Sequence, residues 1–575
     1  MNRRETIIRN LGEHPRIPVV ILGGGINGIG LLRELALQGV RCLLVDKADF
    51  AAGASSKSSR MIHGGLRYLE NREFALVQES LRERNRLLAN AAHYVTPLRT
   101  TIPLYSHFGG MLRSALIFCG FSVRPGERGS FITRLGLMFY DLVTRKDRRT
   151  PTHYLTGREQ SLREIPGLDP AIVATATYWD AKITQAERLC IELIDDARAA
   201  NPDCATLNYV APQCLESGRL ILKDLPTGEL FTVVPDIVIN ATGAWVDHTN
   251  AILGVKTHFM GGTKGSHLVV DCPHLYQALG DRMVYYQHTD GRVCIVFPFL
   301  DKIIMGSTDI PVDDPDTATC DETEIEYMLT TLRGVFPGIT ITRQQIVFTY
   351  CGVRPLPATS TDVTANISRG HTIRILEPDA ERPGFVAQAS RLCPQASNPA
   401  PGTARPFPIY NLIGGKWTTF RALAEQTTDQ VLNRLGLQRR QSTTHLPIGG
   451  GKDFPANPQQ RAEWIKRVSK TCGLREPRVA VLLDRYGTRA EAYAIASEHP
   501  LQSLPEYTIE EIQRIAANEQ VVHLSDLIHR RSTIALLGRA TPDALAELAE
   551  VVGAMLGWDA ERKRNEIHLA TRVAL

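Results

Sequence analysis

Residues 17–46 constrain the fold of this chain more than any other stretch. Ile17–Leu22 (IPVVIL) is a short apolar run, rich in β-branched residues, of the kind that fills a buried parallel strand. The cluster Gly23-Gly24-Gly25-Ile26-Asn27-Gly28 follows, and apolar residues then recur at helical spacing from Gly28 to Gln38. Gly39 stops that helix, and Val40–Val45 form a second strand closing on Asp46. Strand, helix and strand within so short a span are the repeating unit of doubly wound sheets. The G-x-G-x-x-G spacing removes side chains where backbone N–H groups and a helix N-terminus must approach a pyrophosphate. Gly23, Gly25, Asn27 and Gly28 are the predicted contacts, and Asp46 stands where an acid reaches ribose hydroxyls. The pattern predicts dinucleotide binding without separating NAD from FAD.

At 575 residues the chain exceeds one core and is expected to divide into two or three domains. Its 43% apolar and 22% charged residues are those of an ordinary globular protein, and a net charge of +4 implies no nucleic-acid partner. Eleven cysteines are scattered singly, with no C-x-x-C and no Cys/His cluster at metal spacing, so no metal is expected and a reducing compartment is. No apolar signal-peptide run opens the sequence and no stretch is long enough to span a bilayer. Residues 120–130 and 377–408 read as connectors or surface loops, and from about residue 450 the texture turns charged, alanine-rich and helical.

The segment after Asp46 is unusual for a nicotinamide fold. Instead of another ordinary helix, residues 49–70 (DFAAGASSKSSRMIHGGLRYLE) bring Ser55, Ser56, Ser58 and Ser59, then His63-Gly64-Gly65. By composition this is either a flexible serine loop or a stretch of hydroxyl and backbone donors lying against a cofactor. Further on, INATGAWVD (239–247) ends an apolar strand in a small-residue turn, and in IGGKWTTFRALAE (413–425) two glycines precede a helix that Thr418 and Thr419 can cap. Together with KGSHLVV (264–270), MGSTDI (305–310) and TYCGVRPL (349–356), these segments resemble in order and spacing the FAD-dependent glycerol-3-phosphate dehydrogenases of the D-amino-acid-oxidase-like superfamily. The resemblance covers nearly the whole chain.

The resemblance implies an α/β fold: an FAD-binding Rossmann-like domain of the glutathione-reductase type (1–95, 170–255 and 345–445), a mixed-sheet substrate or cap domain (96–169 and 256–344), and an α-helical C-terminal domain (450–575). It implies FAD contacts at Ser55, Ser56, Ser58, Ser59, His63, Gly64, Gly65, Thr242, Gly243, Gly415, Lys416, Thr418 and Thr419. Its substrate, glycerol 3-phosphate, is a dianion, for which guanidinium groups are suited; Arg67, Tyr68, Thr308, Arg354, Arg369 and Lys416 are the implied contacts. Hydride would pass from C2 to the flavin. Arg354 is the first choice to stabilise the developing alkoxide, and His63 and His267 are candidate proton acceptors.

Asp46 stands where the family more often has glutamate, and Arg60 where it more often has lysine. Family members usually pass electrons to membrane quinone and sit on the membrane without spanning it, which implies the cytoplasmic face of the membrane, or the cytoplasm, as the location. The apolar segment 108–121, with Arg113 and Arg124, has the composition of an interfacial element or of a buried cap. A dioxygen-using oxidase, another flavin oxidoreductase of amino or hydroxy acids, and a non-catalytic flavin-binding interaction protein are the alternatives. A homodimer is possible. Arg530-Arg531 either dock a partner or pack on the body of the molecule.

Overall fold

A computed structural model describes residues 3–69, 73–107, 130–288, 290, 292–358, 369–379, 405–495 and 498–574; the side chain of Arg67, the segment 108–121 and most of the loop 377–408 lie outside the described residues. The predicted opening unit is present as the strand Arg16–Leu22, the helix Ile26–Leu37 and the strand Cys42–Val45. Arg16–Leu22 is central in a sheet whose order is His371–Leu376, Ile409–Gly414, Leu230–Asn240, Arg16–Leu22, Cys42–Val45 and Ala205–Leu207. The last five of these run parallel, and His371–Leu376 closes one edge antiparallel. Strand side chains alternate between two cores. Val19 and Ile21 pack with Ile29 and Leu32 of the first helix, while Val20 and Leu22 pack with Ile8, Leu11 and the hairpin residues Leu220 and Leu222. Burial on both faces explains why IPVVIL is apolar throughout.

A second, ten-stranded sheet contains the strands Val95–Leu104, Ala174–Ile183, Thr263–Val270, Arg282–Gln287, Val293–Phe299, Lys302–Gly306 and Ile346–Arg354, with three short strands. It is mixed: its pairs are antiparallel except that Arg282–Gln287 lies parallel to Val95–Leu104. Ala174–Ile183 and Ile346–Arg354 fall inside the ranges expected of the nucleotide domain, yet they pair in this second sheet. Strand pairing partners are chosen by long-range packing and not by the local sequence of these strands, so sequence does not assign them.

The chain after residue 450 is helical, with Pro458–Cys472, Glu476–Tyr486, Ile509–Asn518, Pro542–Leu556 and Ala560–Ala574 as its longer helices. It is not a self-contained core. Ile512, Ile515, Leu527, Leu545 and Leu548 share one apolar cluster with Leu98, Met283, Phe297 and Phe348 of the second sheet. The opposite face of that sheet packs on Leu275, Leu329 and Leu332. Arg531 is buried against the body, which places the Arg530-Arg531 pair in an internal contact. Among the described residues eight cysteines are free thiols and Cys214 is disulfide-bonded. Among the described residues no helix is long and apolar enough to cross a membrane.

Candidate functional site

The glycine cluster forms a tight turn between strand and helix. Gly23 leaves the strand at φ +108°, and a Cβ there would stand 2.6 Å from the Ala241 carbonyl oxygen. A Cβ on Gly28 would stand 2.0 Å from the Gly23 carbonyl oxygen, so strand, turn and helix approach only as glycines. Gly25 caps the helix Ile26–Leu37 without a side-chain bond. The positive end of that helix therefore faces the cavity that Gly23, Gly25 and Asn27 line. Asp46 accepts hydrogen bonds from the N–H groups of Gly24 (2.6 Å) and Ala48 (2.7 Å). Burial nevertheless pushes its carboxyl up to about 6.

The cavity has a volume of about 590 Å³ and runs from Asp46 and Val210–Pro212 to Arg354 and Lys416. Ser55, Ser58, Ser59, His63, Tyr68, Thr242, Gly243, His267, Arg369, Gly415 and Thr418 also line it. The serine stretch is thus a wall of the site. Ser55 Oγ accepts from Ile26 N–H at 2.9 Å, and Trp417 Nε1 donates to the Ser55 carbonyl at 2.9 Å, locking wall to helix. Several predicted residues do not line the cavity. Ser56 bonds locally to the Gly53 carbonyl. Gly64 N–H is held by Tyr140 Oη (2.9 Å) and Asp180 Oδ1 (3.0 Å), and Gly65 turns the chain at φ +80°. Thr419 is buried, and neither threonine caps its helix through the side chain. Thr418 Oγ1 instead accepts from the His63 N–H.

Cations gather at the far end. Arg354 donates to Asp309 Oδ1 (3.1 Å), Ser307 Oγ (3.0 Å) and the carbonyls of Thr308 (2.9 Å) and Lys264 (3.2 Å). Arg369 lies 3.9 Å from the same Asp309. Lys416 Nζ is buried without a hydrogen-bond partner among the described residues, 4.5 Å from the Tyr68 ring centre. Burial lowers its pKa to about 7, with Arg369 acting in the same direction and Asp180 against it. Burial lowers His63 to about 4, helped by Lys416 and Arg369. Burial and then Arg354 lower His267 to about 3, so both rings are uncharged at neutral pH. His267 Nε2 is 2.7 Å from Ser59 Oγ, and its ring stacks on Tyr350 at 4.9 Å.

Thr308 stands apart from this group. It is buried, and its hydroxyl donates to Glu324 Oε1 (2.5 Å) while accepting from Ser266 N–H, so it faces the protein interior. Glu324 also accepts from Lys264 Nζ (2.8 Å) and Ser266 Oγ (2.9 Å). It thereby ties together the residues whose carbonyls hold Arg354. Arg60 is likewise withdrawn, paired with Glu187 at 2.5 Å. Sequence reasoning missed Glu324, Gly265 and Gly306. A Cβ on Gly265 would stand 2.1 Å from the Arg354 guanidinium, and one on Gly306 would stand 2.5 Å from the His267 ring. Gly306 is the cross-strand partner of His267, a relation that only strand register reveals. Lys57, in the serine wall, was also passed over.

These residues suit a flavin dinucleotide. One end offers a glycine turn, an open helix N-terminus and a carboxylate; buried Asn27 Oδ1 and Lys416 Nζ lack partners among the described residues and flank the cavity. Fold and site define a dinucleotide-binding oxidoreductase, and residues 18–386 match the family model of the FAD dependent oxidoreductases. Residues 441–563 match the C-terminal domain of alpha-glycerophosphate oxidase. The chain is 32% identical to a glycerol-3-phosphate dehydrogenase of Synechocystis sp. over 96% of its own length and 94% of the relative's. It is 29% identical to glycerol-3-phosphate dehydrogenase 2 of Mycobacterium tuberculosis over 98% and 89%. The fold superposes on the glycerol-3-phosphate dehydrogenase of Bacillus halodurans, solved with FAD, at a TM-score of 0.72, with 20% identity and coverage of 100% and 97%. The chain belongs to the FAD-dependent glycerol-3-phosphate dehydrogenase family.

Proposed function

We propose that the chain oxidises sn-glycerol 3-phosphate to dihydroxyacetone phosphate and passes the electrons to membrane quinone. The observation that carries the substrate is the convergence of Arg354, Arg369 and Lys416, with Asp309 between the two arginines, on one end of the cofactor cavity. A small dianion balances that excess of positive charge, and an amino acid does not. FAD, when bound, supplies the hydride acceptor for C2. Arg369 and Lys416 hold the phosphate, while Arg354, fixed by four hydrogen bonds, stabilises negative charge developing on the C2 oxygen. His63 is the better-placed proton acceptor, because Ser59 already engages His267 Nε2. Its ring is uncharged when the site is empty of substrate, and a neighbouring dianion raises its basicity.

Support for a membrane-bound acceptor comes from the helix Ser130–Val143. Leu135, Met138 and Leu142 project from one face of it and are 62%, 52% and 64% exposed. Exposed Arg145, Lys146, Arg148 and Arg149 follow directly, as suits an anionic bilayer surface. The deciding experiment is anaerobic addition of glycerol 3-phosphate to the purified yellow protein. Loss of flavin absorbance near about 450 nm, with dihydroxyacetone phosphate formed, is expected. Later addition of a quinone or of dioxygen separates dehydrogenase from oxidase. A flavin that stays oxidised with glycerol 3-phosphate but bleaches with amino or hydroxy acids overturns the reading.

A further inference from the structure

The loop that begins at Asp49 forms one wall of the cofactor cavity, through Ala52 to Ser55 and Lys57 to Ser59. Its first residue is fully buried and never reaches that cavity. Asp49 Oδ2 accepts from Arg530 Nε (2.5 Å) and Arg531 Nη1 (2.7 Å), and Oδ1 accepts from Arg531 Nη2 (2.9 Å) and Asn208 Nδ2 (2.8 Å). Both arginines belong to the C-terminal helical region, in the π-helical turn Leu527–Arg531. The charges balance locally: Arg530 also pairs with Asp526 (2.7 Å), and Arg188 pairs with Glu519, whose carbonyl accepts from Arg531. With three carboxylates against three guanidiniums, every buried charge has a partner.

The same cluster reaches the opposite wall. Tyr209 Oη donates to Asp526 Oδ1 (2.6 Å), Asn208 Nδ2 donates to the Gln520 carbonyl, and the backbone N–H groups of Tyr209 and Val210 donate to the carbonyls of Ala48 and Asp46. Val210 to Pro212, next in the chain, line the nucleotide end. Two walls from distant parts of the first sheet region are therefore fastened to one C-terminal turn.

We propose that the C-terminal region is a clamp on the cofactor: Arg530 and Arg531, through Asp49, hold the 49–59 loop against the nucleotide and so set how tightly FAD is retained. None of the three touches the cavity, so they are positioning residues. A covalently linked domain that contributes no lining side chain still governs cofactor affinity, because a loop freed of Asp49's anchor must be ordered anew each time FAD binds.

The test is FAD affinity, not turnover. Apoprotein of the full chain, wild type and Arg531→Met or Asp49→Asn, is titrated with FAD by flavin fluorescence at a temperature where near-ultraviolet circular dichroism shows each intact. The dissociation constant is expected to rise about tenfold or more, equivalent to about 1.4 kcal/mol, with faster hydrogen exchange in residues 49–59. If Arg531→Met does not fold, Arg530→Gln, which leaves the Arg531–Asp49 pair in place, is measured the same way and is expected to weaken FAD severalfold. A dissociation constant within twofold of wild type, accompanied only by a lower melting temperature, shows a merely structural contact and overturns the proposal. The readout involves no glycerol 3-phosphate, so it stands or falls separately from the substrate assignment.

Discussion

At the residue scale, the site depends on two cations held in different ways. Arg354 has its hydrogen bonds made in advance, so its guanidinium is held in one position at the cavity, as the proposed role requires. Arg354→Met is expected to lower kcat by about 10²- to 10³-fold, measured as the rate of anaerobic flavin bleaching, while FAD stays bound. Lys416 is the opposite case, buried and without a partner among the described residues. Its pKa of about 7 means that the free enzyme loses this charge as pH rises through neutrality. kcat/KM for the dianion should therefore fall on the alkaline side of about pH 7, and Lys416→Arg should move that limb to higher pH. An alkaline limb unchanged in Lys416→Arg would show that another group titrates.

At the scale of elements, Glu324 shows how a site is supported from outside. It lies at the N-terminus of the helix Glu322–Val335, where it completes a capping box with Asp321. Buried, it also binds Lys264 and Ser266 of the strand Thr263–Val270 and Thr308 of the turn that follows Lys302–Gly306. Glu324→Gln removes the buried one of the two carboxylates that hold Lys264, whose carbonyl is an Arg354 partner. KM for glycerol 3-phosphate is expected to rise severalfold with FAD affinity unchanged, and a KM equal to wild type would deny Glu324 this part. The helix Ser130–Val143 makes a separate prediction. Replacing Leu135, Met138 and Leu142 by glutamate should abolish sedimentation with anionic vesicles and slow quinone reduction. Anaerobic bleaching should remain, because the buried face carrying Leu137 and Tyr140 is untouched.

At the scale of the molecule, the two sheets and the C-terminal helices share cores rather than standing as separate bodies. Their stability is coupled to pH through buried neutral histidines. Burial depresses His63 to about 4, and His267 and His529 to about 3, from an unfolded value of 6.5. Between those values the unfolded chain binds protons that the folded chain refuses, so stability is full above pH 6.5 and declines toward about pH 4. Asp46, raised to about 6 by burial, acts in the opposite sense over part of the same range. Burial raises Asp195 and Asp196 in the same sense. Ion pairing, by contrast, holds Glu192 and Glu511 below the usual carboxylate range and adds to the histidine effect, so the melting temperature of the apoprotein should fall on acidification through this window. His529→Asn, remote from the substrate end, should shallow the fall, and an equally steep fall would place the acid sensitivity elsewhere.

Much was legible in the sequence alone, because it is short-ranged. The opening strand–helix–strand unit, Gly23 and Gly28, and the siting of Asp46 follow from the backbone geometry of neighbouring residues. FAD and the family follow from motifs whose order along the chain is itself the signal. The charged, alanine-rich texture after residue 450 marked the helical region. What only the tertiary structure decided is long-ranged. A threonine in GSTD reads the same whether it faces a substrate or Glu324, and Thr308 faces Glu324. Arg530-Arg531 could by sequence either dock a partner or pack on the body, and only Asp49, far away in the chain, shows them neutralised in the interior. Gly306 makes room for His267 only because register sets them opposite one another. Local backbone preference is written in consecutive residues, whereas the partner of a buried charge or ring is selected by which segments fold together.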